Sequence, residues 1–100
     1  MTLLQASETD FQNLVIELAQ LRGWLVFHAR PSQTGGRWST AMQGQPGFPD
    51  LVLARRGEVL HVELKSEKGR LTEWQKMWLE ALDGECWRPS DWDQIQTRLA

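Results

Sequence analysis

Residues 50–65, DLVLARRGEVLHVELK, decide the fold of this chain, because they predict two short strands joined by a tight turn. Residues 51–54 and 59–64 are rich in branched aliphatic side chains, which are typical of β-strands, and Gly57 suits the turn between them. With the turn centred on Arg56 and Gly57, side-chain alternation places five aliphatic residues on one face: Leu51, Leu53, Leu60, Val62 and Leu64. A slip of one residue would turn all five toward solvent, so burial of this face selects the register.

The opposite face of the same hairpin collects charged groups. The register that buries the aliphatic face also brings Asp50 opposite Glu63 and sets Lys65 beside Glu63. Directly opposed residues have Cβ atoms roughly 4.5–5.5 Å apart, so two carboxylates there are destabilising unless a cation offsets their charge. Carboxylate oxygens suit a hard ion such as Mg²⁺ or Mn²⁺, which can activate a water and stabilise charge on a phosphate oxygen. Lys65 could position that water or neutralise the developing charge, so the face suits phosphodiester hydrolysis.

A helix over about residues 8–22 precedes the hairpin. Ser7 fits the N-cap and Gly23 fits the end of this helix. Apolar side chains recur between them at helical spacing: Phe11, Leu14, Val15, Leu18 and Leu21. Glu8 lies on this stripe at the start of the helix, so we expect it to complete the metal site, although an acid in a first helical turn is also favourable for the helix alone.

Between this helix and the hairpin, the chain predicts one strand and one long connection. Trp24–Ala29 is short, apolar and aromatic, which indicates a strand. Residues 30–46 have no clear period and predict a long loop, and such loops are usually functional or disordered. Trp38 in this loop could stack on a base or pack against a second subunit.

After the hairpin, the chain predicts a helix, a strand and a short terminal helix. Thr72–Gln75 matches a capping box, and Gly84 fits the end of the helix that it opens. The apolar side chains of this helix are Trp74, Met77, Trp78, Ala81 and Leu82, and its two tryptophans are expected in the core. Glu85–Arg88 predicts the last strand, and Ser90–Asp93 begins the terminal helix.

Composition bounds the class of protein. One hundred residues predict a single domain over 1–100. No run of about 18 apolar residues exists, so no membrane span is expected. The N-terminal residues lack the pattern of a signal peptide and Cys86 is a single cysteine, so we expect a cytoplasmic location. The net charge of −2 argues against simple electrostatic binding of nucleic acid, although local patches matter more than the sum.

The motifs resemble those of a known group of nucleases. Pro49-Asp50, followed after a spacer by Glu63-Leu64-Lys65, is similar to the signature of the PD-(D/E)xK nuclease superfamily. With Ser7-Glu8 at the first helix, Gly47-Phe48 before Pro49, and residues 69–75 (GRLTEWQ) after the hairpin, the chain most resembles the small stand-alone VRR-Nuc domains of phages and bacteria, over about residues 7 to 93. The resemblance implies an α/β fold: a restriction-endonuclease-like α-β-β-β-α-β core with a mixed sheet flanked by helices, and here a short C-terminal helix.

The resemblance also implies an activity and a set of site residues. It implies Mg²⁺- or Mn²⁺-dependent cleavage of DNA in the cytoplasm of a bacterial or phage-infected cell. Asp50 and Glu63 would bind the metal, Glu8 would support the metal or its water, and Lys65 would be catalytic. Gln75 would lie near the site, although it could equally be the capping partner of Thr72 alone. The resemblance to stand-alone members further implies a homodimer that can act on branched DNA such as Holliday junctions.

Local basic side chains are the candidates for DNA contacts, because they flank the hairpin in sequence: Arg30, Arg37, Lys68, Arg70 and Lys76. Each could also be an ordinary solvated charge. Three functions remain open: a structure-selective, homodimeric DNA endonuclease, a non-catalytic DNA-binding or regulatory module that retains the nuclease fold, and a nuclease subunit whose partner supplies recognition. The acid pair and the lysine favour an enzyme, because binding alone gains nothing from opposed carboxylates.

Overall fold

A computed structural model of the chain describes residues 2–28, 32–34, 37–39 and 43–100, and for 32–34 and 37–39 it describes the backbone. The helices are α1 (Glu8–Leu21), α2 (Glu73–Leu82) and α3 (Trp92–Leu99). The strands are β1 (Leu25–His28), β2 (Ser32–Thr34), β3 (Arg37–Ser39), β4 (Leu51–Arg55), β5 (Glu58–Leu64) and β6 (Glu85–Trp87). Short 3-10 turns lie at Leu3–Gln5 and Pro89–Asp91.

Four strands form the main sheet in the order β1-β4-β5-β6. The first two pairings are antiparallel, and β6 lies parallel to β5, so the chain must cross over through α2 to reach the same end of the sheet. This mixed sheet with flanking helices and a short C-terminal helix confirms the predicted fold class.

The hairpin register is the predicted one. Leu51 pairs with Val62 and Ala54 pairs with Val59 across β4 and β5. Arg56 and Gly57 both have positive φ, at 51° and 80°, which is the backbone of a two-residue turn that matches the twist of the strands. The five aliphatic side chains of the predicted inner face are all buried.

The core lies between that sheet face and the helices α1 and α3. Phe11, Val15 and Ala19 from α1 and Ile95 and Leu99 from α3 are at most 1% exposed. The predicted apolar stripe of α1 was wrong at two positions, because Leu14 is 36% and Leu21 79% exposed. The buried stripe instead follows the 4-residue spacing of Phe11, Val15 and Ala19, whose side chains all lie on the side of the helix that packs against the sheet.

The helix α2 lies on the other side of the sheet, and the prediction that its tryptophans are core residues was wrong. Trp74 is 43% and Met77 56% exposed, and none of the residues of α2 is fully buried. Trp78 is half-buried, donates from Nε1 to the carbonyl oxygen of Pro46 at 2.8 Å and packs edge-on against Phe48. In the described part of the chain, no further helix covers this side, so the apolar face of α2 stays open to solvent.

The predicted long loop contains a two-stranded hairpin. Strands β2 and β3 pair antiparallel, with Ser32 opposite Ser39 and Thr34 opposite Arg37. The prediction of an irregular segment was therefore wrong for these six residues. The Gly35-Gly36 sequence between them favours a two-residue turn, but the flanking polar residues lack the apolar alternation that predicts strands.

Among the described helices, none has both the length and the apolar character needed to span a membrane.

Candidate metal centre

Asp50 is placed by a loop that lies against the start of α2. Gly47 in this loop has φ of +93°, and a Cβ there would lie 2.9 Å from the backbone of Trp74 and Gln75. Both the left-handed backbone and the contact therefore require glycine. Asp50 follows this loop, and its Oδ2 accepts a hydrogen bond of 3.0 Å from the backbone N–H of Leu64. This bond holds Asp50 across from the end of β5, beside Glu63.

Glu63 is the buried member of the site. The residue is 2% exposed, although it lies on the sheet face opposite the core. Its Oε2 accepts a hydrogen bond of 3.1 Å from Gln75 Nε2 and lies 3.6 Å from Lys65 Nζ. Its Oε1 is buried and finds no hydrogen-bond partner in the described part of the chain. Because a buried carboxylate oxygen without a partner is costly, Oε1 is suited to face a cation or a water.

The protonation of Glu63 reflects this environment. Burial raises the pKa of the Glu63 carboxyl to about 7, and the nearby charge of Asp50 acts in the same direction. The ammonium group of Lys65 acts in the opposite direction and does not outweigh the other two. A carboxyl group that is reluctant to ionise alone would ionise readily beside a divalent cation, which supplies the missing positive charge.

Glu8 completes a cluster of three carboxylates. It is the first residue of α1, where Ser7 Oγ caps the helix by accepting from the N–H of Asp10 at 3.0 Å. One carboxylate oxygen from each of Glu8, Asp50 and Glu63 lies within 4.8 Å of the other two. Three carboxylate oxygens at this spacing fit a small hard cation such as Mg²⁺ or Mn²⁺. The three residues predicted from the sequence as metal ligands are thus brought together.

Lys65 and Gln75 border the cluster. The Lys65 side chain is 13% exposed, and its backbone N–H donates to the Trp87 carbonyl oxygen at 3.1 Å. Gln75 makes both contacts that the sequence left open, one with the helix cap and one with the carboxylate cluster. Its Oε1 accepts from the backbone N–H of Thr72 at 2.8 Å, which closes the capping box, while its Nε2 holds Glu63.

The candidate DNA contacts divide into two sets. Lys68, Arg70 and Lys76 are exposed, in the connection after β5 and in the first turn of α2. Lys76 also pairs with Glu73 at 3.1 Å, and both side chains are more than half exposed, so this pair is weak. Arg30 lies outside the described residues, and so does the side chain of Arg37, whose backbone belongs to β3. Trp38 is described by its backbone alone in the same way.

Gly47 is a site residue whose structural role was not predicted from the sequence, where it stands only as part of a motif before Asp50. The signal was present, because a glycine three residues before an acid that begins a buried strand often marks a backbone that needs positive φ or close contact. The contact that makes it necessary, with the start of α2, involves residues 27 and 28 positions later and is not visible in the local sequence.

Comparison with known proteins agrees with the motifs. The family model described as the VRR-NUC domain matches residues 12–89, which include β4, β5, α2 and the positions of Asp50, Glu63 and Lys65. The resemblance that the motifs indicated is thereby confirmed. A comparison with curated proteins found no match, and a comparison with solved structures found none either. The VRR-NUC domain is a nuclease domain, which implies DNA as the substrate.

Proposed function

The chain belongs to the VRR-NUC domain family, and on this premise we propose that it is a metal-dependent DNA endonuclease of PD-(D/E)xK type that hydrolyses phosphodiester bonds. The observation that carries the proposal is the buried Glu63. The Oε1 atom of Glu63 lacks a hydrogen-bond partner among the described residues, and the Glu63 carboxylate lies in a cluster with those of Asp50 and Glu8. A purely binding module would gain nothing from this arrangement, since buried carboxylates repel DNA and cost stability without a cation.

The cluster and the two side chains that border it have three proposed roles. Glu8, Asp50 and Glu63 would hold Mg²⁺ or Mn²⁺, which when bound supplies a Lewis acid and lowers the pKa of a water. The Lys65 ammonium, next to Glu63, would stabilise negative charge on the phosphate or orient the attacking water. Gln75 would keep the Glu63 carboxylate in one rotamer, because its amide nitrogen already donates to Oε2.

DNA would be held by basic side chains around this acidic centre. Lys68, Arg70 and Lys76 are exposed and close in sequence to Lys65 and Gln75, so they would contact phosphates on either side of the cleaved bond. Arg30 and Arg37 are proposed to contribute in the same way from the segment between β1 and β4. Binding through phosphates carries little sequence information, which favours recognition of DNA shape.

A homodimer acting on branched DNA is the second part of the proposal. The apolar side of α2, with Trp74 and Met77 about half exposed, borders a groove of about 350 Å³ lined by Gln45, Trp74, Met77, Trp78 and Ala81. On the edge strand β1, Leu25 is 77% and Phe27 63% exposed. Exposed apolar side chains of this size are typical of an interface, and a two-fold dimer would match the symmetry of a four-way junction.

Sedimentation of wild type and Met77→Glu tests the proposed dimer, because a charge in the interface would shift a dimer toward monomer. A wild-type monomer at micromolar concentration would contradict the dimer.

A cleavage assay tests the activity. Linear, flapped and four-way DNA are incubated with the protein in Mg²⁺, in Mn²⁺ or in EDTA. We expect cleavage with either metal, none in EDTA, and faster cleavage of branched than of linear DNA. Asp50→Asn is the matched variant, since it keeps the side-chain shape and removes the charge. Absence of cleavage by wild type with both metals, or equal cleavage by Asp50→Asn, would contradict the proposal. Binding without cleavage would favour a non-catalytic DNA-binding module.

A further inference from the structure

Arg88 makes an unusual set of contacts next to the proposed site. It follows β6 directly, and its guanidinium Nη1 donates to the carbonyl oxygens of Ser66 at 2.8 Å and of Gly69 at 2.6 Å. The carbonyl oxygen of Glu67 lies 3.4 Å from the same nitrogen. Three carbonyl groups from four consecutive residues thus converge on one cationic nitrogen. Such convergence curls the backbone into one fixed shape, because each charge-assisted hydrogen bond is stronger than a neutral one.

The segment that Arg88 holds is the one that directly follows Lys65. The N–H of Gly69 donates to the Ser66 carbonyl oxygen at 3.2 Å, which closes residues 66–69 into a turn. The Glu67 carboxylate accepts from the backbone N–H of Ser90 at 3.0 Å, so the turn is joined to the chain after β6 at a second point. This bond also lowers the pKa of Glu67, which keeps its charge available.

The turn also lies next to the Lys65 side chain. A Cβ placed on Gly69 would lie 3.4 Å from Lys65 Cδ and 3.1 Å from Ser66 Oγ, so the Gly69 backbone runs close beside the aliphatic part of the lysine. The other end of that side chain, Nζ, lies 3.6 Å from Glu63 Oε2. A lysine side chain has four rotatable bonds and adopts one conformation only where its surroundings confine it. The backbone at Gly69 is placed to form one side of such surroundings.

From these contacts we propose that Arg88 is a positioning residue for Lys65: by holding the turn 66–69, it keeps Gly69 against the lysine stem and Nζ beside the carboxylate cluster. Arg88 itself does not touch the cluster in the described structure. Its effect on cleavage rests on the proposed nuclease function, whereas its effect on the conformation of Lys65 does not.

The first test uses NMR of metal-free protein labelled with ¹³C and ¹⁵N at lysine. The chain has three lysines, and Lys68 and Lys76 are exposed, so the signals of Lys65 are easily separated, with Lys65→Arg as the assignment control. In wild type we expect the two ε protons of Lys65 to be inequivalent. In Arg88→Met they should converge toward the shifts of the two exposed lysines. Unchanged Lys65 signals in Arg88→Met would overturn the proposal.

Two further variants guard against a general loss of structure. Arg88→Lys keeps a positive donor on a slightly shorter stem, so it should retain an intermediate degree of order at Lys65. Gly69→Ala perturbs the same contact from the other side and should also shift the Lys65 signals. The matched control is Arg98→Met, since Arg98 is an arginine of the C-terminal region that pairs with Glu58 and Glu85 rather than with the turn. Effects equal to those of Arg98→Met would mean that Arg88 has no specific role.

The second test measures cleavage at saturating DNA in a single turnover. Because displacement of a reacting group by about 1 Å can cost on the order of 100-fold, we expect Arg88→Met to lower this rate about tenfold or more. The Kd for DNA in Ca²⁺ should stay within about twofold, because the Arg88 guanidinium is engaged by carbonyl groups of the turn. A loss confined to DNA affinity would overturn the positioning role. If wild type does not cleave, the nuclease proposal fails, and the NMR result still decides the role of Arg88.

Discussion

Gln75 Nε2 donates to Glu63 Oε2 at 3.1 Å while Gln75 Oε1 accepts from the N–H of Thr72 at 2.8 Å. One amide group thus closes the N-terminus of α2 and fixes the buried carboxylate of the site. The position of Glu63 is therefore joined to the first turn of a helix rather than to its own strand alone. Changes at residue 75 should affect stability and activity separately, depending on which half of the amide is replaced.

Replacement of Gln75 by Glu or Ala separates these two functions. Gln75→Glu retains an oxygen for the capping box and loses the donor to Glu63, whereas Gln75→Ala loses both. We expect Gln75→Ala to lower the free energy of unfolding by about 1 kcal/mol through loss of the cap. Both variants should cleave DNA more slowly, Gln75→Glu because it adds a further negative charge to the three carboxylates already there. Urea unfolding at pH 5 and cleavage rates measure the two effects. Wild-type cleavage by Gln75→Glu would show that the contact with Glu63 has no function.

The raised pKa of Glu63 predicts an unusual pH dependence of stability for the metal-free protein. The folded state holds the Glu63 proton up to about pH 7, while the unfolded chain releases it near 4.5. Between these values the folded state binds more protons, so this group lowers stability as pH rises, by on the order of 3 kcal/mol in total. Thermal unfolding in EDTA from pH 4.5 to 8 measures it. Glu63→Gln is the control, since it removes the titration; the same pH slope in this variant would contradict the assignment.

Metal binding should reverse that loss. At pH 8, Mn²⁺ at 100 times its Kd would stabilise the folded state by about 2.7 kcal/mol, because the ion binds the assembled site. Below pH 7 the gain should shrink, since Glu63 must lose its proton to bind the ion. Glu8→Gln should weaken Mn²⁺ binding in calorimetry. Asp10→Asn is the matched control, since Asp10 is also an exposed acid in the first turn of α1 but lies outside the carboxylate cluster. Equal Mn²⁺ affinity of Glu8→Gln and wild type would exclude Glu8 as a ligand.

Gly47 should be intolerant of a side chain. Gly47→Ala adds a Cβ that would lie 2.9 Å from the backbone of α2 at a φ of +93°. We expect a loss of about 1–3 kcal/mol in the free energy of unfolding and slower cleavage, because the shifted loop carries Asp50 away from Glu63. Gly44→Ala is a close control: Gly44 also has a positive φ, of +110°, but nothing lies within 4 Å of its added Cβ. Equal losses in the two variants would show that backbone strain alone matters at residue 47.

The sequence by itself determined the β4–β5 hairpin and showed that Asp50 and Glu63 form the acid pair on it. Alternation along β4 and β5, a turn at Arg56-Gly57 and the capping box at Thr72 are local patterns, set by strand geometry and by hydrogen bonds between near neighbours. For the same reason the five buried aliphatic side chains could be predicted residue by residue. The pairing of β2 with β3 is also local, but these strands were not predictable from alternation because their side chains are mostly polar.

Only the tertiary structure decided what surrounds that hairpin. The sequence did not predict the exposed apolar side of α2, because burial depends on which layers exist on each side of the sheet. The contacts of Gly47 with α2 and of Arg88 with the turn after Lys65 join residues about 20 or more positions apart. The Arg88 contact arises because β6 returns parallel to β5, which brings the end of one strand beside the end of the other, and the Gly47 contact arises where the crossover helix α2 begins. The chemistry of the site is thus encoded locally in Asp50, Glu63 and Lys65, while its positioning depends on a long-range crossover whose contacts no local pattern specifies.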